Sequence, residues 1–385
     1  MSNTEIKYLT LSQEDLIDAG AFDFCLAIEA LKKSLFLFKD ERILFPDKIV
    51  QIFKEETQER INCLPATLLD DKICGVKWVS VFPPNPRRFG VQNLSAIIVL
   101  SEIEKGFPVC VMDGTLCSNI RVAAMGATAA EVLARKDAET IGFIGAGEQA
   151  KMHLLGMKAV RPSLKVCKVA AVSEAEEEAF IRDLSKLLPD MTFVSCKTVL
   201  KDAVTDSDII VTATSAQAPL LKAEWIKKGA FYSHIGGWED EYEVVKMADK
   251  IVCDDWETVK HRTQTVSRCY KDGVITDADI HGNLIDILSG EKPGRENDEE
   301  IIYFNAVGAG IMDIAVTARC YRAALAKGDG IVDAGLVIDD PAYETADAAY
   351  AKLEGKDLSC LIVCVAGWVP THAVIRVTDH FRHVP

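Results

Sequence analysis

The stretch from Thr140 to Met157, TIGFIGAGEQAKMHLLGM, restricts the possible folds more than any other part of the chain. A short β-prone run, Thr140 to Ile144, reaches Gly145-Ala146-Gly147, and a helical pattern starts at Glu148 with Met152, Leu155 and Met157 as core contacts. This is the strand–turn–helix opening of a dinucleotide-binding βαβ unit in its G-x-G-x-x-A form. Gly145 permits the tight turn, Gly147 lets the backbone approach a pyrophosphate, and Ala150 keeps the helix close to the strand. Free N–H groups and the helix dipole around Ala146, Glu148 and Gln149 attract the phosphates. Glycine turns after strands are common. The flanking strand and helix make a nicotinamide dinucleotide the first expectation.

The rest of the composition limits the alternatives. A chain of 385 residues has room for about two domains and a sizeable core. Its apolar runs, LSAIIVL and LIVCVA, are well short of the ~20 residues of a membrane helix, and MSNTEIKYLT does not read as a secretion signal. Twelve cysteines are scattered with no Cys-x-x-Cys pair and with apolar neighbours, so they read as reduced core thiols of a cytoplasmic protein. A net charge of −15 argues against nucleic acid or an anionic membrane as partner.

In chain order, residues 1 to about 40 have helical spacing, with a capped start at Ser12-Gln13-Glu14-Asp15-Leu16 and an amphipathic helix from Phe22 to Lys39. Residues 43–111 turn to strands at 49–52, 75–81 and 96–100. An Ala-rich helix from Asn119 to Arg135 leads into the nucleotide lobe. There, strands at 166–172, 208–213, 230–235 and 251–254 alternate with a helix at 174–188. The expectation is an α/β protein, a Rossmann-type doubly wound parallel sheet plus an α+β substrate and dimerisation lobe. The lobes are placed at 119–314 and at 1–118 with 315–335, and 336–385 form an extension that reads as the start of another α/β unit.

Ligands of such sheets sit at the C-terminal strand ends, which brings Thr214, Ser215, His234 and the loop after Gly237 near cofactor or substrate. The second strand ends at Val172-Ser173-Glu174. Glu174 suits a ribose 2′-hydroxyl, and with Glu176, Glu177 and Glu178 it repels a 2′-phosphate. NAD(H) is favoured and NADP(H) is not excluded. The same glutamates also fit an acidic first helical turn favoured by the dipole.

The string from Arg121 through Ala123-Ala124, Ala127, Ala129-Ala130 and Leu133-Ala134 to IGFIGAGEQA resembles the ornithine cyclodeaminase/mu-crystallin family, whose own pattern is an Arg-Thr-Ala-Ala helix running into IIGAGEQA. Lys77 in GVKWVS is similar to the family's G-x-K-x-V strand, and FNAVGAGIMDIAV, with Gly308 and Asp313, to its late strand and helix. The resemblance covers roughly residues 5 to 330. It implies a discontinuous substrate lobe, a Rossmann lobe, a homodimer formed through the substrate lobe, and a small amino or imino acid as substrate. It also implies a cofactor-side place for Asp313.

Substrate-binding roles fall on Arg121, Lys77 and Lys48. A guanidinium holds an α-carboxylate bidentately, and an Arg in an Ala-rich helix needs an anionic partner. By resemblance Lys77 faces the substrate carboxylate or the reacting nitrogen, whereas its bland alternative is a strand lysine pointing to water. Lys48 stands where the family usually has a second carboxylate-binding Arg, offering a point charge in place of a fork. The acid loop departs further. Cyclodeaminases carry Asp directly after a Gly-Gly pair, and here Trp238 follows Gly236-Gly237; Asn62 likewise replaces a family Glu. Glu239 or Asp240 is then the catalytic acid/base, with a solvated acidic turn as the alternative. The reading is an NAD(P)-dependent enzyme acting at the Cα–N bond of an amino acid through an imine, as an imine or opine-type reductase or amino acid dehydrogenase. True ornithine cyclisation and a catalytically silent cofactor-binding module are the alternatives.

Overall fold

Leu9 and Leu11, alternate residues of the first strand, point into the core, and this small apolar period starts a sheet where helical spacing was expected. The computed structural model describes residues 5–337, and the extension expected at 336–385 lies almost wholly outside them. Two compact units are present. One is residues 8–333; of the other, residues 1–7 with 334–385, only 5–7 and 334–337 are described, both in strands.

The first half of the larger unit contains β1 (Glu5–Leu11) from Tyr8 onwards, α1 (Gln13–Asp18), α2 (Phe24–Lys39), β2 (Ile43–Leu44), β3 (Ile49–Lys54), β4 (Glu59–Leu68), β5 (Ile73–Val81), α3 (Asn85–Phe89), β6 (Leu94–Glu102) and β7 (Pro108–Asp113). Ser12 caps α1 in a capping box with Asp15, and Asp23 caps α2. The sheet runs β1-β7-β6-β5-β4-β2, with β3 also paired to β4. From β4 to β7 it is a plain antiparallel meander, with Lys77 opposite Leu64 on one side and Ile98 on the other.

Helix α4 (Thr115–Leu133) starts a turn earlier than its Ala-rich pattern indicates and is buried on almost every face. Small residues make that possible. A Cβ on Gly126 would fall 2.8 Å from the His153 ring, so the next helix packs directly on α4.

The second half begins with β8 (Thr140–Ile144), α5 (Glu148–Val160), β9 (Val166–Ala170), α6 (Glu174–Ser185), β10 (Thr192–Ser195), α7 (Leu200–Val204), β11 (Ile209–Thr212) and β12 (Gln217–Leu221). It continues with β13 (Phe231–His234), β14 (Trp238–Asp240), α8 (Tyr242–Lys246), β15 (Lys250–Cys253), α9 (Trp256–Val259), α10 (Thr265–Lys271), β16 (Ile280–Asn283), α11 (Leu284–Leu288) and β17 (Ile302–Asn305). Eight of these strands form one all-parallel sheet in the order β10-β9-β8-β11-β13-β17-β15-β16. The order reverses between β8 and β11, which is the ligand crevice of a doubly wound sheet. The fold is α/β as expected, with one such parallel sheet beside a mixed one. Of residues 214–219, expected as loop, 214–216 lead into β12 and 217–219 belong to it; β12 pairs with β14 in a separate two-stranded ribbon.

Helix α12 (Gly310–Lys327) returns the chain to the first sheet. Gly75 admits it: a Cβ there would meet Ile314 Cδ1 at 2.7 Å. Among the described residues no helix is long and apolar enough to cross a membrane.

Candidate active site

Two cations and one carboxylate meet where α4 and α12 cross the first sheet. Lys77 Nζ, on β5, lies 2.8 Å from Asp313 Oδ2 and donates to Ser118 Oγ at 3.0 Å. Arg121 Nε, one helical turn beyond Ser118, donates to Asp313 Oδ1 at 2.8 Å. All three charged side chains are buried. Arg121 therefore spends its Nε edge on the protein, and its two Nη atoms make no hydrogen bond among the described residues, which leaves the fork for a planar anion.

The backbone makes room for that fork. Gly308 has φ +79°, and a Cβ on it would fall 2.1 Å from Arg121 Nη1. Asp254 Oδ2 accepts from the amides of Val307 and Gly308 at 3.0 and 2.6 Å and so holds the turn in place. Burial pushes the Asp254 carboxyl up to about 6.

The charges act on one another. Burial brings Lys77 down to about 8, although Asp313 pulls it up. Burial alone raises Asp313, but Arg121 and Lys77 overcome this and hold it below the usual carboxylate range. Its place in the first turn of α12 adds the helix dipole to the same effect. The group keeps a carboxylate that stays charged and a lysine that changes charge near neutral pH.

This group adjoins the glycine turn. Asn119 Oδ1, between Ser118 and Arg121 in sequence, accepts from Gln149 Nε2 at 2.8 Å on α5. Gln149 thus commits its amide nitrogen to α4, while its Oε1 is buried with no donor among the described residues. Gly145 has φ +104°, and a Cβ there would meet Ala213 O at 2.7 Å and Thr214 Cγ2 at 3.0 Å. A Cβ on Gly147 would meet nothing within 4 Å, and this N-cap of α5 carries no side-chain capping bond. An open backbone at an uncapped helix start, beside the β8–β11 crevice, fits a pyrophosphate. Glu148 is exposed and takes Lys151 at 2.8 Å. Ser215 is exposed, and Thr214 holds Glu239.

At the end of β9 the acidic run splits into distinct jobs. Ser173 caps α6 by accepting from Glu176 N at 3.3 Å. Glu177 is fully buried and accepts from Ala171 N, Ser195 Oγ, Lys197 N and Thr198 N, so it braces the turn. Glu174 is exposed and has no partner among the described residues, free to meet a ribose.

Glu239 and Asp240 sit in a closed polar network on β14. Glu239 accepts from Thr212 Oγ1, Thr214 N, Thr214 Oγ1 and Gly236 N at 2.6 to 2.8 Å. Asp240 accepts from Thr265 Oγ1 at 2.6 Å and lies 3.4 Å from His234 Nε2; burial raises it to about 6. Both side chains are closed to solvent, so the solvated acidic turn is not what forms here. Four donors around one carboxylate make Glu239 a brace for the strand-end loop. Neither acid contacts Lys77, Arg121 or Asp313. Trp238, in the family's Asp position, is half-buried with the Arg268 guanidinium 4.5 Å over its ring.

Three groups escaped the sequence reading. Ser118 and Asp254 carry no local motif, and Asn62 was noted only as a departure. Asn62 lies opposite Val79 on the Lys77 face, and its Oδ1 is buried without a donor. Lys48, half-buried one position before β3, falls level with Leu64 and hence with Lys77. Asp313, expected beside the cofactor, pairs with Lys77 and Arg121.

Residues 20–328 match the model of the ornithine cyclodeaminase/mu-crystallin family. The chain is 32% identical over 327 residues to an alanine dehydrogenase of Archaeoglobus fulgidus, covering 84% of this chain and 97% of that one. Among solved structures, it is similar to the Delta(1)-pyrroline-2-carboxylate reductase of Thermococcus litoralis in complex with NADH and L-proline. The TM-score is 0.79 at 30% identity, covering 84% of this chain and 99% of that one. It is also similar to an archaeal alanine dehydrogenase dimer with bound NAD, at a TM-score of 0.77 and 31% identity over 85% of this chain and 99% of that one. By its matched length and these similarities, the chain belongs to the ornithine cyclodeaminase/mu-crystallin family.

Proposed function

We propose that this chain is an NAD(H)-dependent enzyme acting at the Cα–N bond of an amino acid through an imine, with net imine reduction or amino acid dehydrogenation as its reaction. The observation that carries this reading is the buried Lys77–Asp313–Arg121 group, one hydrogen bond away from the helix of the glycine turn. The similar enzymes from Archaeoglobus and Thermococcus support the same class.

Gly145, Ala146, Gly147 and the first-turn amides of α5 would hold the pyrophosphate, with Glu174 at the adenosine ribose. When bound, the cofactor supplies or takes the hydride at Cα. The residues do the rest. Arg121 clamps the α-carboxylate through its Nη pair and fixes the face that Cα presents. Lys77 gives a proton to the nitrogen as the imine becomes an amine, or takes it back in the other direction. Asp313 and Ser118 hold Lys77 Nζ in place, and Asn62 Oδ1 is an acceptor for the substrate N–H. The atoms balance: 2-oxo acid and amine lose water to form the imine, and imine, NADH and H⁺ give amine and NAD⁺. Net NADH consumption with a 2-oxo acid and an amine tests this against ornithine cyclisation.

The first sheet with α12 serves as the substrate and dimerisation lobe in this reading. Its outer face supports a homodimer. Ile49, Cys63, Trp78 and Ile97 stand in register across β3 to β6, and Ile49, Trp78 and Ile97 are 62%, 46% and 53% exposed. A contiguous apolar row on an open sheet face marks a contact surface. Trp78→Glu places a charge in the middle of that row and is expected to convert a dimer to a monomer in sedimentation velocity. A monomeric parent chain, or a variant that stays dimeric, would remove the proposal. The ten described cysteines are free thiols, which supports a reducing, cytoplasmic location.

A further inference from the structure

Cations outnumber carboxylates around this site. Asp313 answers Lys77 and Arg121, but Lys48, Arg60 and Arg262 lie beside them with no ion pair among the described residues. Arg60 sits on the same face of β4 as Leu64, opposite Val81, and its one hydrogen bond runs from Nη1 to Gln58 O at 2.9 Å. Arg262 comes from the other sheet, in the loop after α9; it is half-buried, and its Nε is buried with no acceptor. Lys48 joins the two sets. Besides burial it is repelled by Arg262, then Arg60, then Lys77 and Arg121, and it is held down to about 8.

A half-buried lysine faced by four cations, of which Asp313 answers only Lys77 and Arg121, bears a cost that an anion offsets. The cofactor pyrophosphate is a poor candidate. Arg262 follows β15, four strands from β8 in the sheet, roughly 19 Å sideways at the usual strand spacing. The α-carboxylate is already served by Arg121. Arg60 is four residues along β4 from the Lys77 row, roughly 13 Å of strand, so the cations extend beyond the reach of a single carboxylate.

We propose that the reacting imine carries a second carboxylate, bound by Arg262 together with Lys48 and Arg60, so that the substrate class is a dicarboxylate. This rests on the imine-reductase reading of the same site. The second carboxylate lies either on the side chain of the 2-oxo acid or on the amino acid that supplies the nitrogen, and the geometry of a charged cluster serves both.

The test has a binding arm and a turnover arm. In the first, glutarate and butyrate are titrated calorimetrically into the holoenzyme; glutarate is expected to bind about 10–100-fold tighter, the range of an added charged hydrogen bond. Arg262→Ala should collapse that ratio to within about threefold, and Arg262→Lys should restore part of it. In the second, kcat/KM is compared for pyruvate with ammonium, 2-oxoglutarate with ammonium, and pyruvate with glycine. The faster of the last two locates the second carboxylate on side chain or nitrogen substituent. Equal binding of glutarate and butyrate, or a ratio untouched by Arg262→Ala, overturns the proposal even if NADH is consumed. A glutarate preference lost in Arg262→Ala upholds the subsite even if no imine is reduced, and the failure then belongs to the reaction assigned above.

Discussion

Lys77→Met is expected to lower kcat for imine reduction by about 10²–10⁴-fold, the usual contribution of a positioned proton donor, with NADH affinity nearly unchanged. Met keeps the length of the side chain and removes only the ammonium that Ser118 and Asp313 hold at 3.0 and 2.8 Å. The pH profile gives the same test with a sign. Lys77 is lowered to about 8, so it is protonated below that value and neutral above it. Reduction needs the ammonium, and kcat should fall as pH rises through about 8; oxidation needs the free amine and should rise over the same range. Lys48 also titrates near 8. The limb must therefore vanish in Lys77→Met and survive in Lys48→Met. A limb near 6 would instead point to Asp240 or Asp254. A Lys77→Met enzyme with more than a tenth of parental kcat would return the acid role to Glu239 or Asp240.

Gly308→Ala is expected to raise the KM of the amino or 2-oxo acid about 100-fold. The new Cβ would stand 2.1 Å from Arg121 Nη1, so the guanidinium must leave the position that Asp313 fixes. A displaced fork loses two charged hydrogen bonds to the substrate, each worth about 1.5–3 kcal/mol. Part of any defect will be backbone strain, about 1 kcal/mol for Ala at a positive φ. Gly328→Ala separates the two effects. Gly328 has φ +77° and nothing within 4 Å of its Cβ, so it bears the strain without the clash. Gly308→Ala should lose more melting temperature in calorimetry, by the cost of the disturbed Arg121–Asp313 pair, and it alone should lose substrate affinity. Equal KM values in the two would mean that Arg121 does not hold the carboxylate.

What the sequence revealed was local. The glycine turn, the cap at Ser12 and the strands of the parallel sheet depend on neighbours within a few residues, and composition and period report these well. The site itself is not local. Arg121 and Asp313 are 192 residues apart, and no spacing rule connects them. Asp313 was expected near the cofactor by resemblance, and only the fold shows that α12 brings it to Lys77 and Arg121. Glu239 and Asp240 were read as the acid/base on the loop after Gly237, with a solvated acidic turn as the alternative; pairing with β12 buries them. The four glutamates of α6 were indistinguishable by type, and only the fold shows that Glu177 faces inwards while Glu174 does not. Arg60 and Arg262 carry no motif, and only the meeting of the two sheets gives them a common target.

The central claim is tested most directly by nucleotide stoichiometry on one preparation. NADH is mixed with a 2-oxo acid and either ammonium or an amino acid, and separately L-ornithine is mixed with substoichiometric NAD⁺. Net imine reduction predicts one amine formed per NADH consumed in the first mixture, and no more ammonia than NAD⁺ in the second. Many ammonia molecules and much proline per NAD⁺ from ornithine, with NADH untouched in the first mixture, would contradict it and make the chain a redox-neutral cyclodeaminase.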